Sequence, residues 1–504
     1  MNKAVTAFRA AAGTWRLPVD AREVWAAIGA ASVAGAIVGL GSGDVRAFAF
    51  SLVSGLLLGL FLPAAIPFLY ALLVVTIPVH VLTEEVTGIP YLGGGKWGFT
   101  KLHPATIVIL VAAVVYRVSN RRRWSAAANL TGGVTWIRRG VLLFVAGVLV
   151  LSAARQHAGG IIQVVENYLG PLTLFILMVA EYEGRPRRIA MLTGFFVAIV
   201  TVVGVYGIVE YGLRHNSLYG SLYAASPLAE SWYAVSNDPR SYRITTTLGH
   251  PLTNAQYFLL AATLAAGALD GAVGLRRTLA VVALPVLVAA AMATGARVTL
   301  VVLAVVPVLV MVLSRRVRAL GWAVVFGGLV LVAAAYSPYG DVLRQRFTTE
   351  EGTKSTEVRE RSLELIPEML QRANLLTGDR LGRSSELSSE MLVTKQQVGF
   401  ENPWLMLFVD VGAPLATLYL LVVLGLLGSV VCAAWRSRDP AVIYPAIGTV
   451  AMVLMYSSYN SFGSKNTVNY LMWFSAAVAL CAAKSGKGAV GGQLGGRGAN
   501  GERQ

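Results

Sequence analysis

Arg297-Val-Thr-Leu-Val-Val-Leu-Ala-Val-Val-Pro-Val-Leu-Val-Met-Val-Leu-Ser314 decides the fold. After Arg297 it carries no ionisable side chain until the Arg315-Arg316-Val317-Arg318 cluster. An apolar helix of this length comes close to the ~20 residues needed to cross a bilayer. Inside hydrocarbon only a helix or a closed barrel satisfies its own backbone, and nothing here alternates with the period of a strand.

Working outward, the same pattern recurs along the chain. Candidate spans cover roughly 24–41, 46–62, 64–82, 104–117, 139–153, 161–181, 188–211, 252–269, 277–293, 297–314, 319–336, 402–432, 442–459 and 466–483. The second and third form a hairpin around Pro63 and Pro67, and the fourth is short, so twelve spans with re-entrant pieces also fit. Composition agrees: of 504 residues 56% are hydrophobic and 13% charged, with a mean hydropathy of +0.63. Soluble domains run near 25% charged, so an ordinary soluble enzyme and a disordered chain are both excluded. The expectation is an all-α integral membrane protein, a polytopic bundle of 12–14 transmembrane helices.

The net charge of +16 raises the question of nucleic acid. Alternating the loops answers it. One side collects the amino terminus (Lys3, Arg9, Arg16, Arg22), the Arg117–Arg139 loop, Arg185/Arg187/Arg188, Arg276/Arg277, Arg315/Arg316/Arg318, Arg436/Arg438 and the tail. Short loops rich in Lys and Arg are cytoplasmic, so membrane orientation accounts for the charge and no nucleic-acid partner is expected. The expected organisation is a basic cytoplasmic amino terminus (1–23), a transmembrane domain (24–483) and a disordered Gly/Arg-rich cytoplasmic tail (484–504). The first span is too long and too well followed by others to be a cleaved signal peptide. Both termini are expected on the cytoplasmic side of the membrane.

The opposite, extracytoplasmic face holds two sizeable loops, about 212–251 and 337–402. The second carries nine basic and eleven acidic residues, a balance that orientation does not explain. Function is expected on this face. Within the spans, Glu166, Glu210 and Asp410 are the acidic exceptions, each placed near an outer end, and no repeated mid-membrane polar constellation marks a coupled transporter. Gly93-Gly-Gly-Lys96 lacks the flanking residues of a phosphate loop. Five scattered histidines and two cysteines in apolar runs suggest neither a metal site nor a disulfide framework. No cofactor is expected.

Three stretches on the outer face carry chemistry. Tyr242-Arg243-Ile-Thr-Thr-Thr-Leu-Gly-His250-Pro251 leads into a span. It reads either as an ordinary helix start or as an arginine reaching an anionic ligand. In Thr294-Gly-Ala-Arg297 an arginine opens a helix, where the macrodipole disfavours a cation by ~0.3–1 kcal/mol unless an anion joins both or the side chain snorkels to lipid head groups. The large loop carries Arg359-Glu-Arg361, an amphipathic helix to Arg372, and Gly378-Asp-Arg380-Leu-Gly382-Arg383. It exits through Glu401-Asn402-Pro403-Trp404, and its arginines are alternatively a solvated, salt-bridged face.

In this order, over residues 140–480, these stretches resemble the O-antigen ligase/polymerase superfamily. Gly249-His250-Pro251 with Asn254 resembles its helix-leading Gly-x-Pro-Asn element, and Gly295-Ala-Arg297 its Gly-Arg span opening. Arg359 to Arg361 followed by Gly378 to Gly382 resembles its loop arginine and Gly-x-Gly turn. Glu401-Asn402, nine residues and Gly412 keep the spacing of its His-Asn element, with Glu in place of His and Leu415 at the last position. The resemblance implies a GT-C-like bundle with a large, partly helical outer loop, and transfer of a glycan from a polyprenyl-pyrophosphate carrier to a glycan or glycolipid acceptor. Arginine forks match pyrophosphate, which points to metal-independent stabilisation by Arg297, Arg243 and one of Arg359 and Arg361. Glu401 becomes the base or an orienting group, alongside Arg297 as the catalytic pair. Arg243, His250, Arg359, Arg361, Arg383, Asn402 and Trp404 become the donor- and glycan-binding set. Ligase and polymerase are not separated, and a lipid-linked glycan flippase or other polysaccharide transporter is the alternative. A membrane scaffold would have little use for an arginine in so tight a turn.

Overall fold

A computed structural model describes residues 66–77, 104–119, 132–155, 163–217, 242–272, 274–315, 364, 366–384, 387, 402–458 and 467–495. The candidate spans at 24–41, 46–62 and 319–336 lie outside these residues. The described chain is helical, with no strand among the described residues. In order the helices are α1 (Ile66–Thr76), α2 (Pro104–Ser119), α3 (Gly132–Ala154), α4 (Gly170–Tyr182), α5 (Pro186–Leu213) and α6 (Pro251–Gly271). They continue as α7 (Leu275–Ala293), α8 (Arg297–Ser314), the short α9 (Ile366–Arg372), α10 (Pro403–Ser437), α11 (Pro440–Ser458) and α12 (Thr467–Gly495). Seven helices are long and apolar enough to cross a membrane, as a multi-pass membrane protein requires.

α6, α11 and α12 form the centre, with α6 also on α7, α12 on α4, α5 on α7, and α10 against α3 and α11. Small residues make this close approach possible, as they do wherever lipid removes the hydrophobic drive between helices. A Cβ added at Gly140 or Gly147 of α3 would meet Val422 or Leu415 of α10 at 2.5 and 2.6 Å. One added at Gly267 of α6 would meet Tyr444 of α11 at 2.8 Å, and one at Gly448 of α11 would meet Leu260 of α6 at 2.6 Å. Those contacts run α6 and α11 antiparallel, so the start of α6 and the close of α11 at Tyr456-Ser457 share one end of the bundle. At the other end Arg315 lies over the Trp435 ring at 3.9 Å, Glu181 pairs with Arg185 and Arg188, and Lys484 pairs with Glu183.

Two helices depart from the uninterrupted spans read from the sequence. In the 161–181 span, Val165–Leu169 is a π-turn that leads into α4. Pro171 has no N–H to give the Asn167 carbonyl, so the ladder widens there, and Asn469 Nδ2 of α12 donates to that carbonyl instead at 3.0 Å. In α10 the break falls at Gly412, with φ 80° and ψ 163°, two residues before Pro414. Downstream, α10 extends to Ser437, five residues past the expected boundary. α12 continues beyond residue 483, where an unstructured tail was expected to begin, through Lys484 to Gly495.

Candidate functional site

The segment before α6 is built on a buried carboxylate. Glu210, in the last turn of α5, accepts the Tyr242 hydroxyl at 2.9 Å, the Thr245 N–H at 2.8 Å and the Thr246 N–H at 2.8 Å. The Thr245 hydroxyl adds a fourth bond at 3.2 Å. A buried carboxylate without partners costs several kcal/mol, so Glu210 and this segment need each other. Thr246 is bent to φ +44°, rare for a β-branched residue. Its carbonyl accepts Asn216 Nδ2 at 3.1 Å, and its hydroxyl bonds Asn254 Oδ1. Asn254 in turn donates to the Thr245 carbonyl at 2.7 Å. Strain this firmly over-determined is common where a fold fixes a functional segment.

Arg243 leaves this scaffold sideways. Its Nε donates to the Thr294 carbonyl at 2.8 Å, which ties the 242–250 segment to the turn that opens α8 at Arg297. Both arginines are half-buried. His250 is the N-cap of α6: its Nδ1 accepts the Leu252 N–H at 3.3 Å, which leaves the ring proton on Nε2. Burial, and then the neighbouring Arg243 cation, push its pKa down to about 3. At neutral pH the ring is therefore a neutral donor and no base.

A second cluster surrounds the break in α10. The Gly378 and Gly412 backbones touch so closely that a Cβ on Gly412 would meet the Gly378 nitrogen at 2.6 Å, and one on Gly378 the Asp410 carbonyl oxygen at 2.5 Å. Ala413 N donates to the Leu375 carbonyl at 2.7 Å. The two Asp410 carboxylate oxygens accept the Gly382 N–H at 2.9 Å and the Ser384 N–H at 2.7 Å. The Ser384 hydroxyl is buried and finds no partner among the described residues. Asn402 caps α10 by accepting the Trp404 and Leu405 N–H groups at 3.0 and 3.1 Å. The Trp404 indole donates to Ser457 Oγ at 3.0 Å and meets the Tyr456 ring edge-on at 5.0 Å.

Beneath these clusters the bundle buries a polar layer. Thr106 bonds both Glu166 and Tyr470, at 3.2 and 2.8 Å. Tyr419 donates to Asn469 at 3.1 Å, and Thr467 to Gln256 at 3.0 Å. The Gln256 amide nitrogen, fully buried, has no partner among the described residues. Uncharged polar side chains leave little trace in a hydropathy profile, so the sequence announced only the acids among them. Among the described residues no three His, Cys, Asp or Glu side chains gather as a metal ion would require.

The residues singled out from the sequence thus fall into two groups. Arg243, His250 and Arg297 gather where α6 and α8 begin. Asn402 and Trp404 open α10, and Arg383 lies in the turn docked on its break. Asn402 and His250 each serve a helix cap as well. Glu401, Arg359 and Arg361 lie outside the described residues. Sequence reasoning missed Glu210 and Asp410 as organisers of these groups; the only signal was an acid at the end of an apolar span, with Thr-Thr-Thr or Gly-x-x-x-Gly elsewhere to receive it. Compared with known proteins, the chain matches no family model and no curated protein sequence.

Proposed function

We propose that the chain is a membrane glycan ligase or polymerase of the O-antigen ligase/polymerase type. It transfers a glycan from a polyprenyl-pyrophosphate carrier to an acceptor hydroxyl at the extracytoplasmic face of a bacterial inner membrane. The observation that carries this reading is the Arg243–Thr294 bond, which brings two arginine-bearing segments to one end of the bundle on a strained, carboxylate-held scaffold. Such rigidity suits a fixed anion cradle.

In the reaction the acceptor oxygen attacks the anomeric carbon, and the bond from that carbon to the phosphate oxygen breaks. The carrier pyrophosphate leaves with the electron pair, and the hydroxyl proton passes to a base. Arg243 and Arg297 hold the leaving pyrophosphate through forked, permanently charged donors, so no metal is required. Neutral His250 donates from Nε2 and orients an oxygen. Glu401, which precedes the α10 cap in sequence, is the proposed base or orienting group, and Trp404 supplies an aromatic surface at the start of α10.

The test is transfer by purified full-length protein from a polyprenyl-pyrophosphate-linked oligosaccharide to a second glycan. Arg297→Lys and Arg243→Gln should each cut turnover sharply while the protein stays folded. Turnover equal to wild type in both variants, or no transfer by the wild type onto any glycan or glycolipid acceptor, rejects the reading. A second reading, a lipid-linked glycan flippase, draws on the buried polar layer and on the broken helix α10, since discontinuous helices and buried polar groups also line transport routes. It predicts glycolipid movement across a vesicle bilayer without change in glycan size.

A further inference from the structure

Arg380 and Arg383 stand at the two ends of a single tight turn. The Arg383 N–H donates to the Arg380 carbonyl at 3.1 Å, and Gly382, third in the turn, has φ +87°, as a type II turn requires of that position. The Cα atoms of the two ends of such a turn are within about 7 Å. The fold therefore sets two permanently charged arginines, both half-buried, at the two ends of one turn. Something must hold this turn in one geometry. Asp410 is placed to do so: its two carboxylate oxygens take the N–H groups of Gly382 and Ser384, one inside the turn and one just after it. The Gly378–Gly412 contact and the Ala413–Leu375 bond lock the same loop to the break in α10. Nothing in helix formation asks for this. A glycine in a backbone conformation open essentially to glycine alone, two residues before a proline, interrupts a long apolar helix, and the interruption receives the turn.

We propose that Asp410 is a positioning residue, which holds the Arg380–Arg383 turn against the broken helix so that the two arginines form a paired fork for a pyrophosphate group. This rests on the transferase reading for the identity of the anion. Asp410 itself touches backbone and not the ligand. Its carboxylate fixes the turn from which the two forks extend, and the bidentate geometry of arginine makes their spacing matter.

The experiment measures binding of farnesyl pyrophosphate to detergent-solubilised full-length protein, for wild type, Asp410→Asn, Arg383→Gln and the Asp410→Asn/Arg383→Gln pair, with thermal unfolding of each in parallel. Asparagine keeps the shape and can accept only one of the two N–H groups. Asp410→Asn should weaken binding about tenfold, Arg383→Gln by a similar factor, and the pair should be little weaker than the worse single variant, because both act through one turn. A merely structural carboxylate would lower the unfolding temperature and leave that non-additivity absent. Wild-type binding with unchanged affinity in folded Asp410→Asn overturns the positioning role and leaves the transferase reading standing. Failure of the wild type to bind farnesyl pyrophosphate overturns the pyrophosphate reading itself. Should Asp410→Asn not fold, Arg380→Gln and Arg383→Gln still decide: binding equal to wild type in both overturns the proposal.

Discussion

Arg297 opens α8 at the positive end of a helix dipole, a position that disfavours a cation by ~0.3–1 kcal/mol. An anion bridging the guanidinium and the positive end of the helix reverses that penalty. Lysine keeps the charge and loses the fork, so Arg297→Lys should lower glycan transfer by about 10²-fold with little change in unfolding temperature, measured in parallel on purified protein. A fully active lysine variant would remove Arg297 from leaving-group stabilisation. His250 makes a different prediction, because its pKa in the folded protein, about 3, is below the ordinary value of 6.5. The unfolded chain binds a proton here between those values and the folded chain does not. Stability from this group is therefore complete above about pH 6.5 and declines as pH falls toward 3. His250→Asn keeps a side-chain acceptor for the cap and abolishes the titration. The wild-type unfolding temperature should fall more steeply from pH 7 to 4 than that of the variant; parallel pH profiles would show that His250 is not held neutral.

Whole elements carry a second kind of sensitivity. Gly412 combines φ 80° and ψ 163°, a region essentially closed to side chains, with a partner backbone 2.6 Å from where a Cβ would stand. Gly412→Ala should cost more than the ~1–2 kcal/mol of the left-handed region alone. It should release the 374–384 loop to proteases while α10 stays helical by circular dichroism; an unchanged digestion pattern would show that the loop is not docked there. Glu210→Ala should be worse, since it leaves the Thr245 and Thr246 N–H groups and the Tyr242 hydroxyl without their acceptor, at ~1–3 kcal/mol for each that stays buried. Glu210→Gln should recover part of the loss in unfolding temperature. How much of this the sequence discloses differs by element. The spans are legible because apolar length is a one-dimensional property, and the starts of α6 and α8 are legible because Pro251 and Arg297 mark them locally. Pro171 and Pro414 give warning of a broken ladder and do not say what repairs it. The repairs come from Asn469 on α12 and from the 375–384 loop, residues far away in sequence. The uncharged layer of Thr106, Tyr470, Gln256 and Asn469 is hidden for a related reason: each is an ordinary polar residue until the bundle places it beside another.

At the scale of the whole molecule the arginine-bearing turns and the polar layer compete as explanations of the fold. α6 and α12 bury Gln256, Asn469 and Tyr470 within their first two turns, while Arg243, Arg297 and the Arg380–Arg383 turn belong to the loop-bearing segments. A transferase works at one face, so its buried polar groups serve only to fix helix positions, and α6 and α11 must hold their glycine-spaced contact throughout the cycle. A flippase must open those same contacts to pass a head group. The two demands separate in the lipid-linked glycans of a strain from which the gene is deleted, resolved by size and by side of the membrane. Single repeats accumulating outside on the carrier assign polymerisation, and long carrier-linked chains with none on the final acceptor assign ligation. Intermediates trapped on the cytoplasmic side assign transport, and would move functional weight from Arg243 and Arg297 to the buried layer. For the transferase we expect accumulation outside, restored by wild type but not by Arg297→Lys.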